Sequence, residues 1–156
     1  AFAAACDAGY GIELDVQLSR DGEVMVFHDY TLIRMTGVDK KLCELTAEEL
    51  CALSLGGTEE KIPTFEQVLS LVDGRVPLLV ELKGESTDTS LCASVAELLK
   101  EYTDIEIDFY DERMTTMVAY RFLGETGTYG KKRKDTVDTL SAQIILQNYL
   151  DANRNK

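Results

Sequence analysis

The sequence has one histidine, and none of its four cysteines forms a Cys-x-x-Cys pair. That shortage speaks against a closed zinc site, which needs several imidazole or thiolate ligands at short spacing. No apolar run approaches the roughly 18 to 20 residues that a helix needs to cross a bilayer, so no membrane span is expected. Positive charge is also scarce: 16 Lys and Arg face 28 Asp and Glu, for a net charge of -12. Duplex DNA and anionic membrane surfaces repel such a chain overall, and no nucleic-acid partner is expected. The opening AFAAACDAGYG lacks the basic region and cleavage pattern of a signal peptide. It reads as the middle of a small-residue helix, with Ala1 an internal position of a longer protein.

What is present is enough for one domain with a core: 156 residues, 45% of them hydrophobic. Cys6, Cys43, Cys51 and Cys92 sit in apolar contexts. They read as buried, reduced thiols of a cytoplasmic protein, with a secreted disulfide protein as the alternative. The one basic run, Lys131-Lys132-Arg133-Lys134, reads as a solvated loop, with a local phosphate contact as the other reading.

Residues 1 to 8 end a helix that Gly9 and Gly11 stop. Residues 11 to 18 alternate: Ile12, Leu14, Val16 and Leu18 share one face, and Glu13, Asp15 and Gln17 the other. Ser19 to Gly22 is a turn, and Val24 to Phe27 a short second strand. Thr46-Ala-Glu-Glu49 and Thr64-Phe-Glu-Gln67 are capping boxes, opening helices to about Ser54 and to Asp73-Gly74. VPLLVELKG, 76 to 84, is a strand with Leu78, Val80 and Leu82 on one face. Residues 89 to 102 form an amphipathic helix with Leu91, Val95, Leu98 and Leu99 inward. A strand is expected over 104 to 109, a helix over 113 to 123, a loop over 124 to 136 and a last helix over 140 to 153.

Strands alternating with helices point to an α/β fold with parallel strands. In a doubly wound sheet both strand faces meet helices and are apolar. Here three strands carry acids on one face only, which suits a (β/α) barrel of TIM type, partial at this length. Such a partial barrel leaves strand edges unpaired and makes a homo-oligomer possible.

Glu13 and Asp15, two apart on one strand, point the same way. With Glu81 from another strand they make a cluster of three carboxylates, costly unless a cation is present. Oxygen ligands suit a hard divalent cation, Mg²⁺ or Ca²⁺. Lys83, at the strand end, offers a point charge for a phosphate oxygen, and His28, just past a strand, is placed for proton transfer. Each signal has a plainer reading. Acids on alternate strand positions mark a solvated face, a lone histidine after a strand is a surface or capping residue, and Glu81 and Lys83 make a structural ion pair. Their conjunction across strands favours a site.

GIELDVQLSRDGEVMVFHDYTLIRMTG closely resembles the core of bacterial glycerophosphodiester phosphodiesterases. The resemblance continues through LTAEEL, KIPTFEQVL and VPLLVELKG, and is strongest over residues 1 to 100. IDFYDER resembles a divergent ESFDPR-like strand end, with Phe109 in place of serine and Glu112 in place of proline. Beyond residue 124 only LSAQIILQNYL matches, faintly.

The resemblance implies a TIM-type barrel and hydrolysis of a small-molecule glycerophosphodiester to glycerol 3-phosphate and an alcohol. It implies that Glu13, Asp15 and Glu81 bind metal, that His28 is one of two catalytic histidines, and that Lys83 contacts the substrate phosphate. Arg34 and Thr36 match a motif read as structural. In the family's mechanism one histidine assists attack of a substrate hydroxyl on phosphorus. The other protonates the leaving alcohol, and water opens the resulting cyclic phosphate. The family's opening His-Arg-Gly and Pro-Glu-Asn-Thr motifs lie before the point where this chain begins. Two expectations follow: part of a metal-dependent phosphodiesterase, not active as these residues alone, or a non-catalytic remnant or binding module. A sphingomyelinase D-like barrel ranks below both, because it resembles GIELDVQLSRDG less.

Overall fold

The computed structural model describes residues 1–84, 89–104 and 107, together with positions 140, 143, 144, 146, 147, 150 and 151. The chain divides into two compact units, Ala1–Ile107 and Asp108–Lys156.

The first unit opens with helix α1, Phe2–Ala8, which ends at Gly9 in the left-handed conformation with φ 72°. The Tyr10 N–H donates to the Ala5 carbonyl at 2.9 Å, so the chain leaves the helix with its last carbonyls satisfied. Strand β1, Ile12–Leu18, follows directly. Ser19 to Gly22 then turns the chain back into β2, Val24–Val26, with Gly22 at φ 87°. Ser19 Oγ donates to Asp21 Oδ1 at 2.6 Å, and the same carboxylate oxygen accepts the Ala47 N–H at 2.9 Å. These bonds, the Ser19 hydroxyl first, hold the Asp21 carboxyl below its usual range.

Helix α2, Ile33–Thr36, and a 3₁₀ turn, Leu42–Glu44, lead to α3, Ala47–Ala52. Both capping boxes form as the sequence predicts. Thr46 Oγ1 accepts the Glu49 N–H at 3.2 Å, and Thr64 Oγ1 accepts the Gln67 N–H at 3.1 Å. The second box opens α4, Phe65–Val72, which closes on Asp73 in the left-handed region. Helix α3 stops at Ala52, two residues short of the expected end, because Ser54 pairs with Lys61 in an isolated bridge. Strand β3, Leu78–Leu82, and helix α5, Ser90–Lys100, complete the elements described in this unit.

The sheet order is β2-β1-β3. Strand β1 runs parallel to β3 but antiparallel to β2. The expectation of parallel strands therefore holds for β1 and β3 and is corrected for β2. A tight turn can join only antiparallel neighbours, since a parallel return needs a crossover of a dozen or more residues. The sheet packs on α1, α4 and α5 through one core built on Val16, Phe65, Val68 and Val95, each at most 2% exposed. A second core, around Met25, Leu32, Leu42, Leu50 and Ile62, fixes the loops that follow β2.

Two readings of burial change. Asp15 and Gln17 are 9% and 5% exposed, so only Glu13 of the polar face of β1 is exposed. The thiols are free, but Cys6 alone is buried; Cys51 and Cys92 are half-buried and Cys43 is exposed. In the 3₁₀ turn Leu42 fills the core and its neighbour Cys43 faces outward. The expected strand at 104 to 109, the helix at 113 to 123, the loop at 124 to 136, the IDFYDER segment and the basic run lie outside the described residues, apart from Asp104 and Ile107. In the second unit the described positions from 140 to 151 are helical, and Gln147 Nε2 donates to Asp151 Oδ1 at 3.0 Å.

Candidate active site

The register of β1 against β3 builds the site. Asp15 pairs with Glu81, and neighbouring residues in a parallel pair project from the same face. Glu13, two residues earlier, shares that face. One carboxylate oxygen from each of Glu13, Asp15 and Glu81 lies within 4.8 Å of the others. The three acids named from the sequence are thus brought together.

Lys83 joins them from the end of β3. Its N–H donates to the Val16 carbonyl at 2.9 Å and extends the ladder by one rung. Its ammonium then folds back: Nζ is 2.7 Å from Glu81 Oε1 and 3.0 Å from Asp15 Oδ1. Burial pulls the Lys83 ammonium down. The hydrogen bonds and attraction of Glu81 and Asp15 outweigh it, and the net shift is upward. The Lys83 ammonium thus rests against two of the three acids and partly balances their charge. All three candidate ligands offer hard carboxylate oxygens, so the donor set fits Mg²⁺ or Ca²⁺.

His28 lies in the segment after β2 and is not a member of the carboxylate cluster. Its ring is exposed, and Nδ1 lies 2.7 Å from Asp29 Oδ1. Arg34, from α2, grips the same carboxylate in a fork: Nε donates to Oδ2 at 2.6 Å and Nη2 to Oδ1 at 2.9 Å. Arg34 first, then His28, lowers the Asp29 carboxyl to about 2. Asp29 is therefore a carboxylate at neutral pH. An ionised carboxylate can only accept, so Nδ1 carries the proton of this contact. Thr36 caps its own turn, with Oγ1 donating to the Leu32 carbonyl at 2.9 Å and accepting the Val38 N–H at 3.2 Å.

Asp29 was not singled out in the sequence. Its adjacency to the only histidine, with an arginine five residues on, is the signal that could have found it.

The model of the glycerophosphoryl diester phosphodiesterase family matches residues 1–139. The chain is 36% identical over 98 residues to a Bacillus subtilis protein named "Putative glycerophosphodiester phosphodiesterase YhdW", covering 59% of this chain and 40% of that one. A solved Oleispira antarctica phosphodiesterase, in complex with the product sn-glycerol-3-phosphate, superposes with a TM-score of 0.61 at 29% identity, over 68% of this chain and 47% of that one. The glycerophosphodiester phosphodiesterase of Thermotoga maritima gives a TM-score of 0.56 at 35% identity, over 67% and 43%. The chain spans less than half the length of these relatives. A shorter stretch of 57 residues is 54% identical to a Ligilactobacillus salivarius protein named "Putative pre-16S rRNA nuclease", covering 36% of this chain and 39% of that one. With the family model matching residues 1–139 of its 156, the chain belongs to the glycerophosphoryl diester phosphodiesterase family.

Proposed function

We propose that this chain is the part of a TIM-type barrel enzyme that carries the metal ligands and one acid–base group for glycerophosphodiester hydrolysis. The products would be glycerol 3-phosphate and an alcohol. The observation that carries the proposal is the meeting of Glu13, Asp15 and Glu81 with Lys83 on one sheet face. The glycerol 3-phosphate held by the Oleispira relative supports the substrate class.

Glu13, Asp15 and Glu81 would hold Mg²⁺ or Ca²⁺, which when bound supplies charge stabilisation at the phosphoryl oxygens. Lys83 turns from Asp15 and Glu81 toward a non-bridging phosphate oxygen. Asp29 and Arg34 hold the His28 ring in one tautomer, and Nε2 moves the proton to or from the alcohol oxygen. The four free thiols fit a reducing, cytoplasmic setting.

The test is release of glycerol 3-phosphate from glycerophosphocholine by the full-length protein with Mg²⁺ or Ca²⁺, and its loss with EDTA. A rate left unchanged by His28→Ala would remove His28 from the chemistry. Binding of the cation and glycerol 3-phosphate without any turnover would favour the binding module instead.

A second reading concerns a different part of the chain. The 54% identity to the nuclease relative exceeds the 36% identity to the phosphodiesterase relative. The resemblance to phosphodiesterases is strongest over residues 1 to 100, so we assign the nuclease-like stretch to the C-terminal part. That part carries Lys131 to Lys134, the one basic run in an otherwise acidic chain. It would bind RNA through phosphate contacts, with affinity falling as salt rises. Absence of RNA binding at low salt, or binding untouched by replacing the four basic residues with alanine, would remove this reading.

A further inference from the structure

We propose that Gln17 is a positioning residue that fixes the main chain of His28 relative to the carboxylate strand. The inference rests on the reading of His28 as an acid–base group. Gln17 follows Glu13 and Asp15 on the same face of β1 and is 5% exposed. Its Nε2 donates to the Phe27 carbonyl at 2.7 Å and to the Asp29 carbonyl at 3.0 Å. Both hydrogens of one buried amide are therefore spent on the carbonyls of the two residues that flank His28.

This matters because the strand has already ended. Strand β2 stops at Val26, and one more rung, the Phe27 N–H to the Asp15 carbonyl at 3.0 Å, carries the pairing past it. Beyond that rung the amide of Gln17 takes over the role of a ladder partner. The strand that bears Glu13 and Asp15 thus also holds the segment bearing His28. A neutral amide suits the place, since carbonyl oxygens need donors and a charge there would be buried.

The test is NMR on this chain, whose single histidine gives unambiguous ring signals. Gln17→Met keeps the length and approximate volume of the side chain and removes both donors. Backbone order parameters at His28 and Asp29 should fall from about 0.85, typical of rigid backbone, to under about 0.6. Val24 to Val26 should keep theirs. Gln17→Asn, an amide one methylene shorter, should loosen the same two residues, and it covers the case of a Met variant that fails to fold. A His28 as ordered in the variants as in the parent would overturn the proposal. So would a loss of order spread equally over β2, which marks a packing role. The readout needs no turnover, so it stands or falls separately from the chemical role of His28.

Discussion

Lys83 Nζ lies 3.0 Å from Asp15 Oδ1, across the parallel pair of β1 and β3. The side chain named from the sequence as a phosphate contact is here the counter-ion of two candidate metal ligands. Lysine and a divalent cation therefore compete for the same oxygens. Lys83→Met removes the competitor, and Mg²⁺ or Ca²⁺ should bind about 10-fold more tightly, as expected for losing a repulsion on the order of 1.4 kcal/mol. Glycerophosphodiester turnover should fall in the same variant. Titration calorimetry and a product assay check the two opposite movements; equal cation affinity in parent and variant would refute the competition.

The same ion pairs predict an alkaline limit. The Lys83 ammonium is raised above its ordinary 10.5, so its contribution to stability is complete below that value. It is lost as pH rises through the raised value of the folded chain. Urea midpoints of the metal-free protein should decline over that alkaline range, and Lys83→Met should flatten the decline.

Asp29 sets an acid window in the opposite sense. Its carboxyl stands at 3.8 ordinarily and at about 2 when folded, held there first by Arg34. The stabilisation is present above 3.8 and disappears as pH falls toward 2. Arg34→Met should return Asp29 toward its ordinary value and move acid unfolding to higher pH. If Asp29 orients His28, kcat should also fall by about 100-fold with KM little changed, the lower end of what general acid–base groups contribute.

Asp15→Asn should weaken cation binding by at least about 10-fold, comparable to the loss when a supporting group at a metal site is changed. The buried position of Asp15 makes it the most sensitive of the three acids, because Lys83 loses its partner as well. Calorimetry on this variant beside Glu13→Gln, a change at an exposed position, tests the order.

Phe65, fully buried beneath the sheet, anchors the first core. Phe65→Ala should cost about 3 to 5 kcal/mol in chemical denaturation. A cost under about 1 kcal/mol would mean that α4 does not carry the sheet.

Much of the first unit was legible because its signals are local. Thr46 with Glu49, and Thr64 with Gln67, announce helix starts through a hydrogen bond spanning three residues. Alternation with a period of two placed Glu13 and Asp15 on one face of β1, and Leu78, Val80 and Leu82 on one face of β3. The Asp29 carboxylate was not legible in the same way. Its partner Arg34 comes into reach only when α2 folds over the segment after β2, and the motif containing Arg34 read as structural.

Residue type and short-range spacing were enough to choose the candidate ligands, the lysine and the histidine. Side-chain direction along a strand is a property of the backbone itself. Tertiary structure decided the rest. It set the register that lays Glu81 beside Asp15, the burial of Asp15 and Gln17, and the return of Lys83 onto both acids. Those outcomes depend on how two strands far apart in sequence share one core, and no local periodicity encodes that.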